Sequence, residues 1–143
     1  MLDEIYRLFP RLRSSEHRKV SEQDRSYNCF AWAAGISNLR WEPDPEFDWF
    51  WPSGVPREYT LDALVSAFQT LGYRPSSSDS LEDGHEKVAL YELNGEPAHA
   101  ARQLSTGAWT SKIGRLEDIE HALSDLEGDN YGRVFQIMKR PRS

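Results

Sequence analysis

The sequence predicts a single domain of the α+β class, in which early helices pack on a later antiparallel meander of strands. Apolar residues recur at helical spacing in two segments, Leu2 to Phe9 and Leu61 to Leu71. From residue 86 onward the apolar period changes to two, with turn signals at Asn94-Gly95 and at Ser105-Thr106-Gly107. Because the helical segments come first and do not alternate with strands, the order favours α+β over α/β.

Length, charge and cysteine content exclude several classes of protein. The chain has 143 residues, an ordinary size for one domain, and its single cysteine cannot form an internal disulfide or a cysteine-based zinc cluster. With a net charge of −6, the chain lacks the positive electrostatic field that nucleic-acid binding requires. No apolar run approaches the roughly 20 residues of a membrane span. We therefore expect a cytoplasmic protein, or an effector exported without a classical signal, that binds neither nucleic acid nor membrane.

The N-terminal quarter is predicted to hold two short helices separated by a polar segment. The first helix runs from Leu2 to Phe9 and ends at Pro10, whereas residues 11–25 are polar and charged and predict a mobile arm or loop. The second helix begins around Cys29, where Ser26 or Asn28 can act as its cap, and small alanines suit close packing on a sheet. Gly35 can end this helix.

Residues 38–59, called the aromatic loop below, combine many rings with many prolines. The rings are Trp41, Phe47, Trp49, Phe50, Trp51 and Tyr59, and the prolines are Pro43, Pro45, Pro52 and Pro56. The segment contains too much proline for a regular helix or strand and too many aromatic residues for a disordered linker. An ordered loop is therefore expected, serving either as one wall of a substrate groove or as a small core of its own.

Downstream elements follow from turn signals and periodicity. Thr60 is expected to cap the helix from Leu61 to Leu71, and Gly72 to end it. Strands are predicted over residues 86–93, 97–104, 108–113 and 133–138, and a short helix over residues 116–123. The carboxylates of the aromatic loop lack the glycine and glutamate spacing of a calcium loop, so neither a metal nor a cofactor is expected.

Cys29 and His99 are the residues whose chemistry stands out. A thiol at a helix start tends to ionise more easily, although a lone cysteine can also simply pack as a small apolar residue. Alternation places His99, Ala101 and Gln103 on one face of their strand, among alanines that leave room for an approaching group. His121, by contrast, is expected on the surface of the late helix.

Two short segments carry a family resemblance. Asn28-Cys29-Phe30-Ala31-Trp32-Ala33 and Ala98-His99-Ala100-Ala101 resemble the papain-like cysteine peptidase superfamily, above all its minimal bacterial members that cut or modify amide bonds in cell-wall peptides. The whole chain is also similar to an uncharacterised domain family of bacteria and fungi. The segments shared with that family are Tyr27 to Ala33, Trp51-Pro52, Glu86 to Tyr91, and His99 to Gly114.

The resemblance implies a papain-like fold with Cys29 as the nucleophile and His99 as the general base. A third residue should orient the imidazole, but the strand after His99 offers no Asn, Asp or His. If the turn pairs Leu104 with Ala108, Ser111 lies diagonally from His99, whereas a two-residue turn would instead put Thr110 and Lys112 on the His99 face. Ser111 is the first choice and Gln103 the second. The backbone N–H of Cys29 and the side chain of Asn28 or Tyr27 would bind an oxyanion. Trp32, Trp49 and Trp51 are the candidate substrate-binding rings.

Three functional hypotheses follow from these residues. The first is a thiol hydrolase or acyltransferase that acts on an amide, isopeptide or thioester bond of a peptide or protein substrate. The second is a non-catalytic module on a degenerate papain-like fold, which binds a peptide or protein through the aromatic loop. The third is a toxin or effector of bacterial competition.

Overall fold

A computed structural model describes residues 2–15, 17–21, 23, 26–113 and 116–142. Within these residues there are seven strands, β1 Arg18–Ser21, β2 Arg74–Ser76, β3 His85–Leu93, β4 Glu96–Gln103, β5 Trp109–Lys112, β6 Asp118–His121 and β7 Arg133–Pro141. They form one antiparallel sheet in the order β1-β6-β5-β4-β3-β7-β2. The α-helices are α1 Asp3–Leu8, α2 Cys29–Ala33 and α3 Leu61–Gln69, and two 3₁₀ helices span Pro10–Ser14 and Leu123–Leu126. The predicted α+β class is confirmed.

The centre of the sheet is the meander β3-β4-β5-β6, of which the sequence predicted the first three strands. Its first hairpin turns at Asn94 and Gly95, whose φ angles of 55° and 82° suit a tight turn between twisted strands. The strand β7 then returns to pair with β3, while β1 and β2 form the two edges. The meander is therefore extended at both sides by strands from distant parts of the chain.

Each face of the sheet carries its own apolar cluster. One face, called the helix face, is covered by α2, α3 and part of the aromatic loop; its cluster includes Trp41, Leu64, Phe68, Leu90, Ala100 and Met138. The other, called the second face, is covered by α1 and the 3₁₀ helices; its cluster includes Ile5, Leu12, Tyr91, Ala101, Ile119 and Leu126. Ala100 and Ala101 are neighbours in β4 but face opposite clusters, as the period of a strand requires.

The predicted helix caps are confirmed. The Asn28 side chain accepts a hydrogen bond from the backbone of Ala31 at the start of α2, and Thr60 does the same for Ala63 at the start of α3. Gly35 follows α2 with a φ of 85°, the left-handed conformation typical of a residue that ends a helix.

Two predictions about secondary structure were wrong. Residues 11–25 were expected to form an arm or loop, but Leu12 is fully buried in a 3₁₀ helix and Arg18–Ser21 pairs with β6 as an edge strand. Residues 16, 22, 24 and 25 of that segment lie outside the described residues. Within residues 116–123, the predicted helix is replaced by β6, whose four residues all pair with β5 and three of which also pair with β1. Pairing on both sides outweighs the weak helical periodicity of so short a segment.

None of the helices in the described part of the chain is long and apolar enough to cross a membrane.

Candidate functional site

Cys29 is the first residue of α2, on the helix face of the sheet. The helix packs against β4 and β5, and the thiol interacts with the backbone of Ala100. Burial raises the pKa of the Cys29 thiol to about 12; the backbone of Ala100 opposes this rise and the nearby Glu42 carboxylate adds to it. The expected ease of ionisation at a helix start is therefore wrong for this thiol, because desolvation outweighs the helix terminus.

His99 lies on the second face of the sheet, where it is fully buried. Its imidazole stacks on the Tyr131 ring with centroids 4.1 Å apart and planes 6° apart, and it meets the Tyr91 ring edge-on at 5.2 Å. Tyr91 belongs to the apolar cluster of the second face. Alternation had placed His99 on the same strand face as Ala101, and this prediction is confirmed.

The structure does not bring Cys29 and His99 together. Ala100, whose backbone the thiol contacts, belongs to the helix-face cluster, whereas the neighbouring His99 projects from the other face of the same strand. The sheet itself therefore lies between the thiol and the imidazole. The general-base role predicted for His99 toward Cys29 requires a geometry that this arrangement does not contain.

Ser111 is a neighbour of His99, as the strand register predicted. Leu104 and Ala108 are joined by a backbone hydrogen bond of 2.7 Å across the turn, and Gln103 pairs with Trp109. This register puts the Ser111 hydroxyl 2.8 Å from Nε2 of His99. Gln103, the second choice for the orienting residue, instead donates to the carbonyl oxygens of Asp79 and Gly107.

The sequence reasoning missed a third member of this cluster. His121 was expected on a surface helix, but it lies in β6, where its Nε2 is 2.7 Å from the same Ser111 hydroxyl. His99, Ser111 and His121 together form what we call the histidine–serine cluster, and all three residues are buried. The alternation of Ile119 and His121 was the available signal, and it favours a strand over the predicted helix.

The hydrogen bonds of the cluster determine the tautomers of its neutral imidazoles. The Ala122 carbonyl, 2.8 Å from Nδ1 of His121, can only accept, so Nδ1 carries the hydrogen and Nε2 accepts from Ser111. The Ser111 oxygen then accepts from Nε2–H of His99. Burial lowers the pKa of His121 to about 4. The pKa of His99 is lowered well below its usual value, mainly by burial and to a smaller extent by repulsion from a protonated His121. Both imidazoles are therefore neutral near pH 7.

A groove of about 950 Å³ opens beside the histidine–serine cluster on the second face. Trp109, His121 and Ile137 line it together with polar residues of β1 and β6. Nδ1 of His99 is buried and has no hydrogen-bond partner among the described residues. Over the same residues, no group of three or more His, Cys, Asp or Glu side chains is arranged to hold a metal ion.

The predicted oxyanion donors make other hydrogen bonds. The Tyr27 hydroxyl donates to the Asp118 carboxylate at 2.5 Å. The Asn28 amide donates to the Trp41 carbonyl at 2.6 Å and to Glu42 at 3.3 Å, while its oxygen accepts from the Trp41 backbone at 3.0 Å. Asn28 thus joins the start of α2 to the start of the aromatic loop, a role that the sequence did not reveal.

The three candidate substrate-binding tryptophans have different environments. Trp32 is partly buried and stacks on Tyr27, with the Arg102 guanidinium 5.1 Å from its centroid. Trp51 is buried in the helix-face cluster, and its indole nitrogen donates to the Pro56 carbonyl. Trp49 is about half exposed. Of the three, Trp49 therefore offers the most ring surface to a ligand.

The aromatic loop divides its rings between the core and the surface, so a small core accounts for some of them and the role as a groove wall stays a prediction. Trp41 and Trp51 are buried. Phe47 is 74% exposed, Trp49 and Tyr59 are each 47% exposed, and Phe50 is 46% exposed. These four side chains are called the ring surface below. Phe47 has a φ of 61°, a left-handed conformation that is costly for a bulky residue and that often accompanies a functional constraint.

Asp44 holds the tip of the aromatic loop in place. Its carboxylate accepts hydrogen bonds from the backbone N–H groups of Asp48 at 2.7 Å and Trp49 at 3.2 Å. Arg57 donates to the same carboxylate at 3.1 Å and to the Trp49 carbonyl at 3.0 Å, and its guanidinium lies 4.2 Å from the Phe47 centroid. The exposed rings therefore stand on a loop that is ordered before any ligand arrives.

A family model matches residues 18–139, and its description is a domain of unknown function, DUF7689. The chain belongs to the DUF7689 family. A search of curated proteins and a search of solved structures each found no match.

The DUF7689 region contains the candidate site residues described above. It includes Cys29, the aromatic loop and the histidine–serine cluster, while α1 and the first 3₁₀ helix precede it. The family description names no activity. The resemblance to papain-like peptidases and the hydrolase hypothesis therefore stay predictions.

Proposed function

We propose that this domain is a binding module that grips a peptide or protein segment with its ring surface. The observation that carries the proposal is four large exposed rings on a loop held by internal hydrogen bonds and an ion pair. Large apolar side chains that are exposed together on one loop favour an interaction site, and ordering the loop in advance lowers the entropic cost of binding. Aromatic residues also dominate the energetics of protein interfaces.

The positions of the polar groups favour the binding module over the thiol hydrolase or acyltransferase. Cys29 is only partly buried, but the pKa of its thiol is raised, and the His99 imidazole bonds to Ser111 on the other face, so the two residues do not form a catalytic pair in this arrangement. A papain-like origin is part of this proposal. A binding module derived from that scaffold would keep the helix packed on the sheet.

The proposal can be tested by selecting ligands from a random dodecapeptide library displayed on phage. We expect the wild-type protein to enrich peptides, and Phe47→Asn and Trp49→Ala each to weaken binding of a synthetic copy of a selected peptide by about 30-fold, the usual loss at an interface hot spot. Asn tolerates the left-handed backbone at position 47, so that variant removes the ring without adding strain.

A matched control distinguishes the ring surface from exposed apolar residues in general. Leu81 is 50% exposed and lies outside the aromatic loop, so Leu81→Ala should leave binding unchanged. Cys29→Ser should also bind normally, because binding does not require a thiolate. Failure to enrich any peptide, or equal binding by the Phe47 and Trp49 variants and wild type, would refute the proposal.

A further inference from the structure

We infer that the partner of the ring surface is a basic peptide segment, in which Lys or Arg side chains accompany apolar ones. This inference rests on the proposed binding function. It uses a separate observation, the balance of charges around the exposed rings.

Both arginines of the aromatic loop are neutralised within the loop. Arg57 pairs with Asp44 at 3.1 Å, and Arg40 pairs with Glu42 at 3.2 Å. The Arg40 guanidinium also lies 5.0 Å from the Trp49 centroid, so it is held against the ring that it flanks. Neither guanidinium is therefore available as a free positive charge for an acidic partner.

Three carboxylates beside the rings have no such partner. Glu46 and Asp48 flank Phe47 in the sequence, and Glu58 precedes Tyr59. All three residues are exposed, and none takes part in an ion pair of the described residues. The aromatic loop contains five carboxylates and two guanidiniums. Each guanidinium pairs with one carboxylate, so about three negative charges remain around the ring surface.

This arrangement matches one class of partner better than the others. The long apolar stems of Lys and Arg can lie on exposed rings while their charged ends reach neighbouring carboxylates. Complementary charges also raise the rate of association and exclude partners of the wrong sign. Nucleic acids, anionic membranes and acidic peptides would all be repelled by the same three carboxylates, and the net charge of the chain, −6, adds to that repulsion.

The experiment compares three pools of synthetic dodecapeptides by fluorescence anisotropy. The pools share the same Leu and Phe positions and carry either Lys and Arg, Ser and Gln, or Asp and Glu at the remaining positions. We expect the basic pool to bind most tightly. We also expect its affinity to fall with added salt, because exposed charges are screened over about 10 Å at 0.1 M.

Charge variants of the full chain test whether the three carboxylates cause this preference. The triple variant Glu46→Gln, Asp48→Asn, Glu58→Gln should weaken binding of the basic pool by about tenfold, the sum expected for three exposed charge pairs. The matched control is Asp83→Asn, Glu96→Gln, Asp129→Asn, which removes three exposed carboxylates outside the aromatic loop and should bind like wild type.

The outcomes separate this inference from the proposed function. Binding that depends on Trp49 but is equal for the basic and neutral pools would overturn the basic partner and keep the binding module. Equal losses in the two triple variants would also overturn it, since only net charge would then matter. If none of the pools shows binding that depends on Trp49, both the basic partner and the binding module are refuted. Co-sedimentation with phosphatidylcholine vesicles that depends on Trp49, without peptide binding, would replace the peptide with a membrane surface.

Discussion

The aromatic loop and the histidine–serine cluster lie on opposite sides of one sheet, and the loop exposes apolar groups whereas the cluster buries polar ones. The loop presents apolar rings to solvent on a framework of hydrogen bonds, while the cluster buries two imidazoles and a hydroxyl that bond to one another. The groups usually associated with catalysis are thus used inside the fold, and the groups usually associated with a core are at the surface. Residue type alone therefore did not predict which of these groups are buried and which are exposed.

The sharpest test of this contrast is the reactivity of Cys29. Raising the thiol pKa from 9.0 to about 12 reduces the thiolate fraction near neutral pH by about a thousandfold. We expect iodoacetamide to label Cys29 more slowly than free cysteine by about that factor at pH 7.5, measured by mass spectrometry. Labelling as fast as free cysteine would break the contrast and restore the thiol hydrolase hypothesis.

The next largest effect concerns Asn28, which links α2 to the aromatic loop. Asn28→Ala removes the helix cap and leaves the buried N–H and carbonyl of Trp41 without their partner, so the free energy of unfolding should fall by about 3 kcal/mol. Urea unfolding measures this loss. Thr60→Ala is the matched control, since it removes only a cap and should cost about 1 kcal/mol. Equal losses in the two variants would show that Asn28 does no more than cap its helix.

The histidine–serine cluster should make the protein sensitive to mild acid. The unfolded chain takes up protons near pH 6.5, whereas His121 in the folded protein resists protonation until about pH 4. Stability is therefore fully present above pH 6.5 and is lost as the pH falls toward 4. Because of its lowered pKa, His121 alone should cause the free energy of unfolding to fall by about 2 kcal/mol as the pH decreases from 7 to 5. The lowered pKa of His99 adds to this loss.

Urea unfolding across this pH range measures the acid effect. The double variant His17→Gln, His85→Gln removes the other two histidines and assigns the remaining dependence to the cluster. In the same pH range, ¹⁵N spectra should show His121 as the Nδ1–H tautomer and His99 as the Nε2–H tautomer. A free energy of unfolding that is constant from pH 7 to pH 5 would contradict the burial of neutral imidazoles.

The smallest expected effect is on stability at the ring surface. Phe47→Asn gives up a cation–π contact of about 0.5–1 kcal/mol with Arg57 and relieves about as much backbone strain, so the free energy of unfolding should change by less than about 0.5 kcal/mol. Urea unfolding checks this value beside the binding loss proposed above. A drop of several kcal/mol would mean that Phe47 serves the fold, which would weaken the contrast between the two regions.

Much of the local structure could be predicted from the sequence. The caps at Asn28 and Thr60 follow from hydrogen bonds between a side chain and the backbone a few residues away, and the hairpin at Asn94-Gly95 follows from its left-handed turn. Alternation and the turn register placed Ser111 beside His99. These features depend on near neighbours in the chain, so their physics is contained in short segments.

Only the tertiary structure decided which of these elements meet. The helix α2 packs on the face of the sheet that Ala100 presents, and one residue along β4 is enough to turn His99 to the other face, away from Cys29. Pairing with β5 and β1 made a strand of the segment that contains His121. The same packing buried Trp51 and left Trp49 half exposed, because the core has room for some rings of the loop and not for all.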